Sequence, residues 1–356
     1  CKVTREGDTV TVDSAVVDRW DVPHELMREM RSSVIFLGPI LARCGKAKLS
    51  LPGGCDIGQR PIDLHLAALR KLGADVREEG GDIYCQAGDL RGRDLILSIP
   101  SVGATENAML TATACSGATR IINAAREPEI ADLQSFLQKA GADIRGGGES
   151  VITVSGEMPR HDVEHTILPD RIEAATFLCA TAACGGEVTL TGVEPEHVGT
   201  VIQCLRDGGC TVRSAGRTIT LLAPQRLGSM PTVRTMPYPG FPTDSQAPLM
   251  AAACTAQGSA LFIETIFENR FRHAAELQRM GADIRISGRT ALVTGKQLHG
   301  AQVRSTDLRG GAALVVAALA AQGESRVEDL THIDRGYEHF AEKLTGLGAK
   351  IQRRDD

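Results

Sequence analysis

The sequence predicts an α+β protein with two domains, each built from three similar units. Three features lead to this prediction: a repeated helix–glycine–strand pattern, Gly-rich hairpin turns, and Ala-rich helices between polar loops. The pattern is found in five segments, and its shared glycines are 67 to 72 residues apart: Gly73, Gly141, Gly209, Gly281 and Gly348. A glycine directly after a helix commonly takes the left-handed conformation that ends it. We therefore expect a helix before each glycine and a strand after it.

Each unit is predicted to contain a β-hairpin and a buried helix. The hairpins have Gly-rich turns, as in VRSAGRTITLLA from Val212 and IRISGRTALVTG from Ile284. The helices lie in segments such as 101–129 and 242–270, and their small apolar residues indicate burial. We expect sheets wrapped around central helices, with domains at residues 1–165 and 166–356 and an active site in the cleft between them.

The first of six units is predicted to be incomplete. CKVTREGDTVTVDS, from Cys1, has the pattern of a hairpin whose preceding helix is not in the chain. The last copy offers one strand near Ile351, with no partner strand in the chain. We therefore expect further residues before Cys1 in the complete protein, which would supply this helix. Because a lost helix uncovers apolar surface, we expect the chain alone to be destabilised and inactive.

Composition and charge argue against several classes of function. The net charge is -5 and there is no basic tract, so we expect no nucleic-acid partner. No signal peptide opens the chain, and no apolar run reaches the ~18 residues that a membrane span needs. The ten cysteines are not in C-x2-C pairs, which argues against a zinc site. We expect most of them to be small buried residues in a reducing cytoplasm.

One cysteine lies in a different setting. The segment PGGCDIGQRPIDLH, Pro52 to His65, surrounds Cys55 with glycines and polar residues, as in a mobile functional loop. A thiol near Arg60 and His65 is expected to have a lowered pKa and to be reactive. By contrast, Cys179 lies in the apolar run ATFLCATAA, where a structural role is expected.

This loop resembles the catalytic loop of the UDP-N-acetylglucosamine enolpyruvyl transferases. The resemblance continues in order along the whole chain through these segments: RSSVIFLGP from Arg31, PSVGATENAM from Pro100, NAAREPEI from Asn123, LPDRIE from Leu168, FPTDSQ from Phe241, ETIFENRF from Glu264, STDLR from Ser305 and HIDRGYE from His332. It implies a two-domain fold of six units, an inside-out α/β barrel. It also implies transfer of the enolpyruvyl group of phosphoenolpyruvate to the 3′-hydroxyl of UDP-N-acetylglucosamine, with release of phosphate, in peptidoglycan synthesis.

The resemblance also implies roles for individual residues. Cys55 corresponds to the cysteine that protonates the enolpyruvyl carbon and reacts with the epoxide fosfomycin. Asp244 corresponds to the carboxylate that takes the proton of the sugar hydroxyl. Arg31, Arg60 and Arg335 correspond to the cationic cluster around phosphate and carboxylate. The other positions correspond to nucleotide-sugar contacts or line the same cleft: Pro61, Ile62, Asp63, Leu64, His65, Ser101, Val102, Gly103, Ile266, Asp307 and Arg309.

These residue types suit the implied chemistry. Phosphoenolpyruvate carries a carboxylate and a phosphate, which guanidinium groups bind bidentately. The reaction protonates a carbon and deprotonates an alcohol, so it needs both an acid and a base. The SVGAT segment, at a predicted helix start, offers N–H groups to a diphosphate. The implied protein is a cytoplasmic monomer that needs no cofactor and no metal.

Several alternatives stay open at this point. Asp170, Asp244 and Asp307 each precede a buried helix, where an aspartate is often only an N-cap. Arg270 and Glu268 are compatible with a simple surface pair. The sister family that makes enolpyruvyl-shikimate-phosphate has the same fold but lacks the PGGC loop. A paralogue that binds UDP-sugars without catalysis is the third possibility, and retention of Cys55 and Asp244 argues against it.

Overall fold

The computed structural model describes residues 1–17, 19–50, 62–156 and 161–354, without the side chains of Arg28, Glu29 and Arg31. These residues form two compact lobes. The first lobe contains the described residues up to Ile167, and the second lobe begins at Leu168.

Twelve α-helices are formed by the described residues, together with two 3-10 helices at Arg31–Phe36 and Pro195–Val198. The α-helices are α1 (His24–Glu29), α2 (Leu37–Cys44), α3 (Asp63–Leu72), α4 (Val102–Ala112), α5 (Pro128–Lys139), α6 (Arg171–Cys184), α7 (Gly199–Asp207), α8 (Thr243–Ala253), α9 (His273–Arg279), α10 (Leu308–Ala320), α11 (Thr331–Asp334) and α12 (Phe340–Gly346). None of these helices combines the length and the apolar character of a membrane span.

The strands of the described residues alternate with the helices along the chain. They are β1 (Lys2–Glu6), β2 (Thr9–Asp13), β3 (Asp21–Val22), β4 (Lys46–Ser50), β5 (Ala74–Glu79), β6 (Asp82–Ala87), β7 (Asp94–Ile96), β8 (Ala118–Ile122), β9 (Asp143–Arg145), β10 (Val151–Ser155), β11 (Gly186–Thr191), β12 (Thr211–Ala215), β13 (Thr218–Ala223), β14 (Val233–Arg234), β15 (Ser259–Ile263), β16 (Asp283–Ser287), β17 (Thr290–Thr294), β18 (Gln302–Arg304) and β19 (Arg326–Glu328).

The sheets repeat one arrangement, in which a short parallel pair continues into an antiparallel hairpin. In the first lobe this gives the strand orders β3-β4-β6-β5 and β7-β8-β10-β9, beside the separate hairpin β1-β2. In the second lobe the orders are β14-β15-β17-β16, a three-stranded β11-β13-β12 and the parallel pair β18-β19. The predicted hairpins at Cys1, Val212 and Ile284 are therefore confirmed.

The five repeat glycines have the predicted backbone conformation. All of them have positive φ, from 89° at Gly281 to 110° at Gly73, which is the left-handed geometry that ends a helix. The strand predicted at Ile351 is wrong, because the described residues after α12 form no strand. A strand needs a hydrogen-bonded neighbour, and no described strand pairs with this segment.

The Ala-rich helices form the cores of the lobes, as their composition predicts. In the second lobe, α6, α8 and α10 pack against one another and share one apolar cluster with the inner faces of the strands. In the first lobe, α4 packs against α2 and α3. Many of the buried residues of α6, α8 and α10 are Ala or Gly, which allows the helix backbones to approach closely.

Candidate active site

Two of the three aspartates at the starts of the second lobe's buried helices are N-caps. The Asp170 carboxylate accepts hydrogen bonds from the N–H groups of Ile172 and Glu173 at 2.7 and 3.0 Å. Asp307 accepts from the N–H groups of Arg309 and Gly310 at 3.1 and 3.0 Å. The capping interpretation is confirmed for these two residues, and it places the positive ends of α6 and α10 at defined points.

Asp244 has a different position and different partners. It is the second residue of α8, and the residue before that helix is Pro242. One carboxylate oxygen receives hydrogen bonds from Nη2 of Arg270 at 2.9 Å and Nε of Arg309 at 3.3 Å. Two guanidinium groups thus hold the carboxylate. The Asp244 side chain is nevertheless 43% exposed, so the carboxylate also contacts solvent. It is therefore oriented and accessible, as a proton acceptor must be.

Arg270 is a buried member of this cluster, so its interpretation as a surface partner of Glu268 is wrong. The guanidinium is 3% exposed and lies between Asp244 and Asp307, with Nη1 3.6 Å from an Asp307 oxygen. It also donates to the carbonyl oxygen of Thr243. Glu268 instead binds Arg289 at 2.7 Å. A buried guanidinium needs carboxylate partners, and the starts of α8 and α10 supply two.

Arg309 connects Asp244 to a buried tyrosine. Its guanidinium carbon lies 5.4 Å from the centre of the Tyr337 ring, and the Tyr337 hydroxyl is 2.9 Å from the hydroxyl of Thr176 on α6. Burial opposes the charge of Arg309, but Asp244 and Tyr337 hold its pKa above the usual value. Its Nη1 is buried and has no hydrogen-bond partner among the described residues. That donor suits an anionic oxygen of a ligand.

A fully buried histidine lies behind the cluster. Burial lowers the pKa of His273 to about 4, and the neighbouring Arg270 adds to this shift while Asp307 opposes it. The ring therefore stays neutral near pH 7. No charge from His273 competes with Arg270 for the two aspartates.

The other predicted residues of the second lobe lie on its loops. Ile266 is half-buried in the segment after β15, and its N–H donates to the buried carboxylate of Glu264 at 2.8 Å. Arg335 is exposed after α11, and its Nη2 lies 3.3 Å from a ring nitrogen of His332. Arg335 is two residues before Tyr337, so both belong to the segment that contacts Arg309.

In the first lobe, the predicted residues at the starts of α3 and α4 come together around His65. The His65 ring is 6% exposed, and its Nδ1 lies 3.1 Å from the amide nitrogen of Asn107 on α4. Burial lowers the pKa of His65 to about 4, although Asp63 opposes the shift. A side chain at Gly103 would meet this ring, so the glycine lets α3 approach the start of α4. His65 is thus a neutral packing residue under that helix start.

The start of α4 confirms the predicted helix boundary. Ser101 is its N-cap and accepts from the N–H of Ala104 at 3.4 Å. Val102 and Gly103 in the first turn are half-buried, as is Leu64 on α3, whereas Asp63 is exposed and Ile62 is buried. One N–H of the first turn is therefore satisfied by Ser101 itself.

Four predicted residues are not tested by these contacts. Cys55, Arg60 and Pro61 lie outside the described residues, as does the side chain of Arg31 at the start of the first 3-10 helix. The roles of these four residues, like the substrate contacts of the other predicted residues, stay predictions. Among the described residues, no group of three or more His, Cys, Asp and Glu side chains could hold a metal ion.

Sequence reasoning missed Arg270, Tyr337 and Asn107, although each carried a signal. Asn107 is a fully buried polar residue of α4, and its amide donates to the Val34 carbonyl and accepts from the Gly38 N–H. Arg270 and Tyr337 lie inside the quoted segments ETIFENRF and HIDRGYE. Their burial depends on contacts between distant parts of the chain, which no local pattern reveals.

Comparisons with known proteins agree with this fold. A family model described as EPSP synthase (3-phosphoshikimate 1-carboxyvinyltransferase) matches residues 1–344. A UDP-N-acetylglucosamine 1-carboxyvinyltransferase of Symbiobacterium thermophilum is 52% identical over 349 residues, which cover 98% of this chain and 79% of that protein. One from Magnetococcus marinus is 47% identical over 345 residues, covering 97% and 82%.

Solved structures show the same fold. The enolpyruvyl transferase NikO from Streptomyces tendae matches with a TM-score of 0.86 and 26% identity, over 98% of this chain and 84% of that one. An EPSP synthase from Acinetobacter baumannii matches with a TM-score of 0.65 over 89% of this chain and 77% of that one. Because the two sequences are only 20% identical, this match is evidence for the shared fold and not for a shared function.

The family model and the relatives identify the class of the protein as the carboxyvinyl transferases. The chain belongs to this enolpyruvyl transferase family.

Proposed function

We propose that the protein transfers the enolpyruvyl group of phosphoenolpyruvate to the 3′-hydroxyl of UDP-N-acetylglucosamine and releases phosphate. The observation that carries this proposal is the accessible Asp244 carboxylate held by Arg270 and Arg309 at the starts of α8 and α10. Relatives that are 47% and 52% identical carry the name UDP-N-acetylglucosamine 1-carboxyvinyltransferase. A cytoplasmic monomer in peptidoglycan synthesis is part of the same proposal.

In this mechanism Asp244 accepts the proton of the sugar hydroxyl while the oxygen of that hydroxyl attacks the central carbon of phosphoenolpyruvate. Cys55 supplies a proton to the terminal carbon, so the addition is balanced. Loss of phosphate and of a proton from the terminal carbon then restores the double bond in the product. No electron acceptor is needed, because no atom changes its oxidation state overall.

The cationic residues stabilise the charge of phosphoenolpyruvate. Arg31, Arg60 and Arg335 would bind its phosphate and carboxylate groups. The buried Nη1 donor of Arg309 suits one further anionic oxygen. Fixed guanidinium groups and helix starts stabilise negative charge without reorganising, and this is the main way such sites lower a barrier.

The nucleotide sugar would be bound by Ile266 and the residues around α3 and α4. Ser101, Val102 and Gly103 lie in the N-cap and first turn of α4, where N–H groups attract phosphate. The His65 ring lies next to Gly103 in that turn, and because the ring is neutral it adds no charge to the proposed phosphate site. Asp307 acts through the α10 start and through Arg270.

The acceptor substrate is the property to test. Calorimetry with UDP-N-acetylglucosamine and with 3-phosphoshikimate reports binding even where turnover is slow. Phosphate release from phosphoenolpyruvate is then measured with each acceptor. Binding and release that require UDP-N-acetylglucosamine support the proposal. A preference for 3-phosphoshikimate would assign the chain to the other branch of the family, and nucleotide-sugar binding without any release would support a non-catalytic paralogue.

A further inference from the structure

Glu264 is a buried carboxylate, and the four hydrogen-bond donors that it has among the described residues are all neutral. It follows β15 directly and is 1% exposed. The hydroxyls of Thr235 and Thr243 donate to it at 2.9 and 3.0 Å. The N–H groups of Ile266 and Phe267 donate at 2.8 and 3.1 Å. A buried charge is costly unless it is fully hydrogen-bonded, and bonds to a charged acceptor are about twice as strong as neutral ones.

The four donors belong to three separate segments. Thr235 follows β14, Thr243 is the first residue of α8, and Ile266 and Phe267 are in the loop after β15. Two of these segments carry residues of the proposed site, because Thr243 precedes Asp244 and Ile266 is itself a proposed sugar contact. The Glu264 carboxylate therefore fixes the position of the α8 start relative to the loop after β15.

Thr243 is also held from a second side. Nε and Nη2 of Arg270 donate to its carbonyl oxygen at 3.4 and 3.3 Å, and the same Nη2 donates to Asp244 at 2.9 Å. Glu264, Thr243, Arg270 and Asp244 are thus connected in one chain of contacts. A shift of Thr243 would move the Asp244 backbone and change its bond to Arg270.

We propose that Glu264 is a positioning residue, which sets Asp244 through Thr243 and sets Ile266 through its backbone N–H. This inference rests on the proposed function, since it assigns Asp244 and Ile266 to the reaction. Glu264 itself touches no reacting atom. Its contribution is the fixed distance between the proton acceptor and the loop that contacts the sugar.

Three substitutions separate this role from a purely structural one. Glu264→Gln keeps the size but places an NH2 group against groups that donate, so both segments should loosen. Thr243→Val removes only the bond on the Asp244 side, and Thr243→Ser keeps that hydroxyl. Glu194→Gln is the matched control, because Glu194 is a surface carboxylate of the same lobe that pairs with Arg217 at 2.8 Å.

The readouts are the Kd for UDP-N-acetylglucosamine, the kcat for phosphate release and the melting temperature. We expect Glu264→Gln to raise Kd and lower kcat by about tenfold or more each, since small misplacements have large effects. Thr243→Val should lower kcat and leave Kd within about twofold, as its hydroxyl does not touch the Ile266 loop. Thr243→Ser and Glu194→Gln should resemble the wild type.

Two outcomes would overturn the inference. One is a Glu264→Gln protein that melts earlier but keeps normal Kd and kcat, since that describes a structural residue. The other is a Thr243→Val protein whose Kd rises as much as that of Glu264→Gln. If the wild type binds no UDP-N-acetylglucosamine, the proposed function fails. Thermal melts of Glu264→Gln, Thr243→Val and the double variant then test the contact between Glu264 and Thr243 itself. Both substitutions remove this one bond, so their losses of stability must not add when they are combined.

Discussion

Asp170 and Asp307 accept hydrogen bonds from the N–H groups of their own helices, whereas Asp244 accepts hydrogen bonds from the guanidinium groups of Arg270 and Arg309. The sequence places all three at equivalent points, so it predicts a cap as readily as a base. The distinction depends on an offset of two residues: Asp170 and Asp307 directly precede their helices, and Asp244 is the second residue of α8. An offset that small is within the usual uncertainty of helix boundaries.

Replacing Asp244 by Asn should abolish most turnover without unfolding the protein. Asn keeps the shape and can still accept from Arg270, but it cannot take a proton. We expect kcat to fall by about 10²-fold or more. Steady-state kinetics beside thermal melts measure both effects. Asp170→Ala is the control, and it should cost about 1 kcal/mol of stability through the lost cap while kcat changes far less. Normal kcat in Asp244→Asn would remove Asp244 from the mechanism.

His65 should make the stability of the first lobe depend on pH. Burial lowers its pKa from 6.5 to about 4, so between these pH values His65 is protonated in the unfolded chain and neutral in the folded lobe. The stability is fully present above pH 6.5 and is lost as the pH falls toward 4, at up to roughly 1.4 kcal/mol per pH unit.

The comparison that isolates His65 is between the wild type and His65→Gln. Glu106 in the same lobe has the opposite trend, because burial and the charges of Glu129 and Glu127 raise its pKa to about 7. The contribution of Glu106 to stability is lost as the pH rises, so the pH dependence of the wild type alone would combine the effects of Glu106 and His65. Between pH 7 and pH 5, the wild type should lose roughly 2 kcal/mol more than His65→Gln in urea unfolding. Identical pH dependence would show that His65 titrates normally.

At the scale of elements, the helix–glycine–hairpin repeat was predictable because it depends on local chemistry. A glycine with positive φ after a helix and a Gly-rich hairpin turn are both read from a few adjacent residues. The pairing of each hairpin with a parallel strand pair was not predictable, since it joins residues that are distant in sequence. The strand expected at Ile351 failed for the same reason: a local pattern does not provide a neighbouring strand.

Gly38 is the point where the packing of α2 against α4 tolerates no side chain. A Cβ at this position would overlap Oδ1 of Asn107 and Oγ1 of Thr111, and the Gly38 N–H donates to that Asn107 oxygen at 2.7 Å. Gly38→Ala should therefore destabilise the first lobe by about 1–3 kcal/mol through overpacking. Chemical denaturation measures the change.

Gly199 provides the control for this substitution. It begins α7, and a Cβ there would meet no atom within 4 Å. Gly199→Ala should be neutral or stabilising by about 0.5 kcal/mol, because alanine is the better helix former. Equal behaviour of the two variants would contradict the close approach of α2 and α4.

At the scale of the whole molecule, the ten cysteines should differ widely in reactivity. Burial raises the pKa of Cys85 and Cys254 to about 12 and that of Cys115 and Cys210 to about 11, so these thiols stay protonated. Cys55, in its Gly-rich loop, is predicted to be the most reactive.

Fosfomycin labelling followed by peptide mapping tests this prediction. Cys55 should carry the label, and UDP-N-acetylglucosamine should increase it. Cys55→Asp keeps a proton donor but removes the sulfur, so it should escape labelling and retain some turnover. Preferential labelling of the half-buried Cys44 or of Cys85 would overturn the assignment.

The family of the chain was predictable from sequence, and the contacts of its buried polar groups were not. Segments such as PGGCDIGQRPIDLH and FPTDSQ are local strings that carry the chemistry of the reaction. Arg270, Tyr337 and Glu264 act through burial and through partners up to 161 residues away, as in the bond between Thr176 and Tyr337. Such networks appear only when the helices are assembled.

Phosphate release from phosphoenolpyruvate tests the central claim most directly. It is followed for the chain, and for the chain with a relative's N-terminal segment fused before Cys1, with UDP-N-acetylglucosamine or 3-phosphoshikimate as acceptor. For the fused chain we predict release that requires UDP-N-acetylglucosamine and falls by about 10²-fold in Asp244→Asn. Release that requires 3-phosphoshikimate instead, or that is unchanged in Asp244→Asn, would contradict the proposed reaction and the role of this carboxylate.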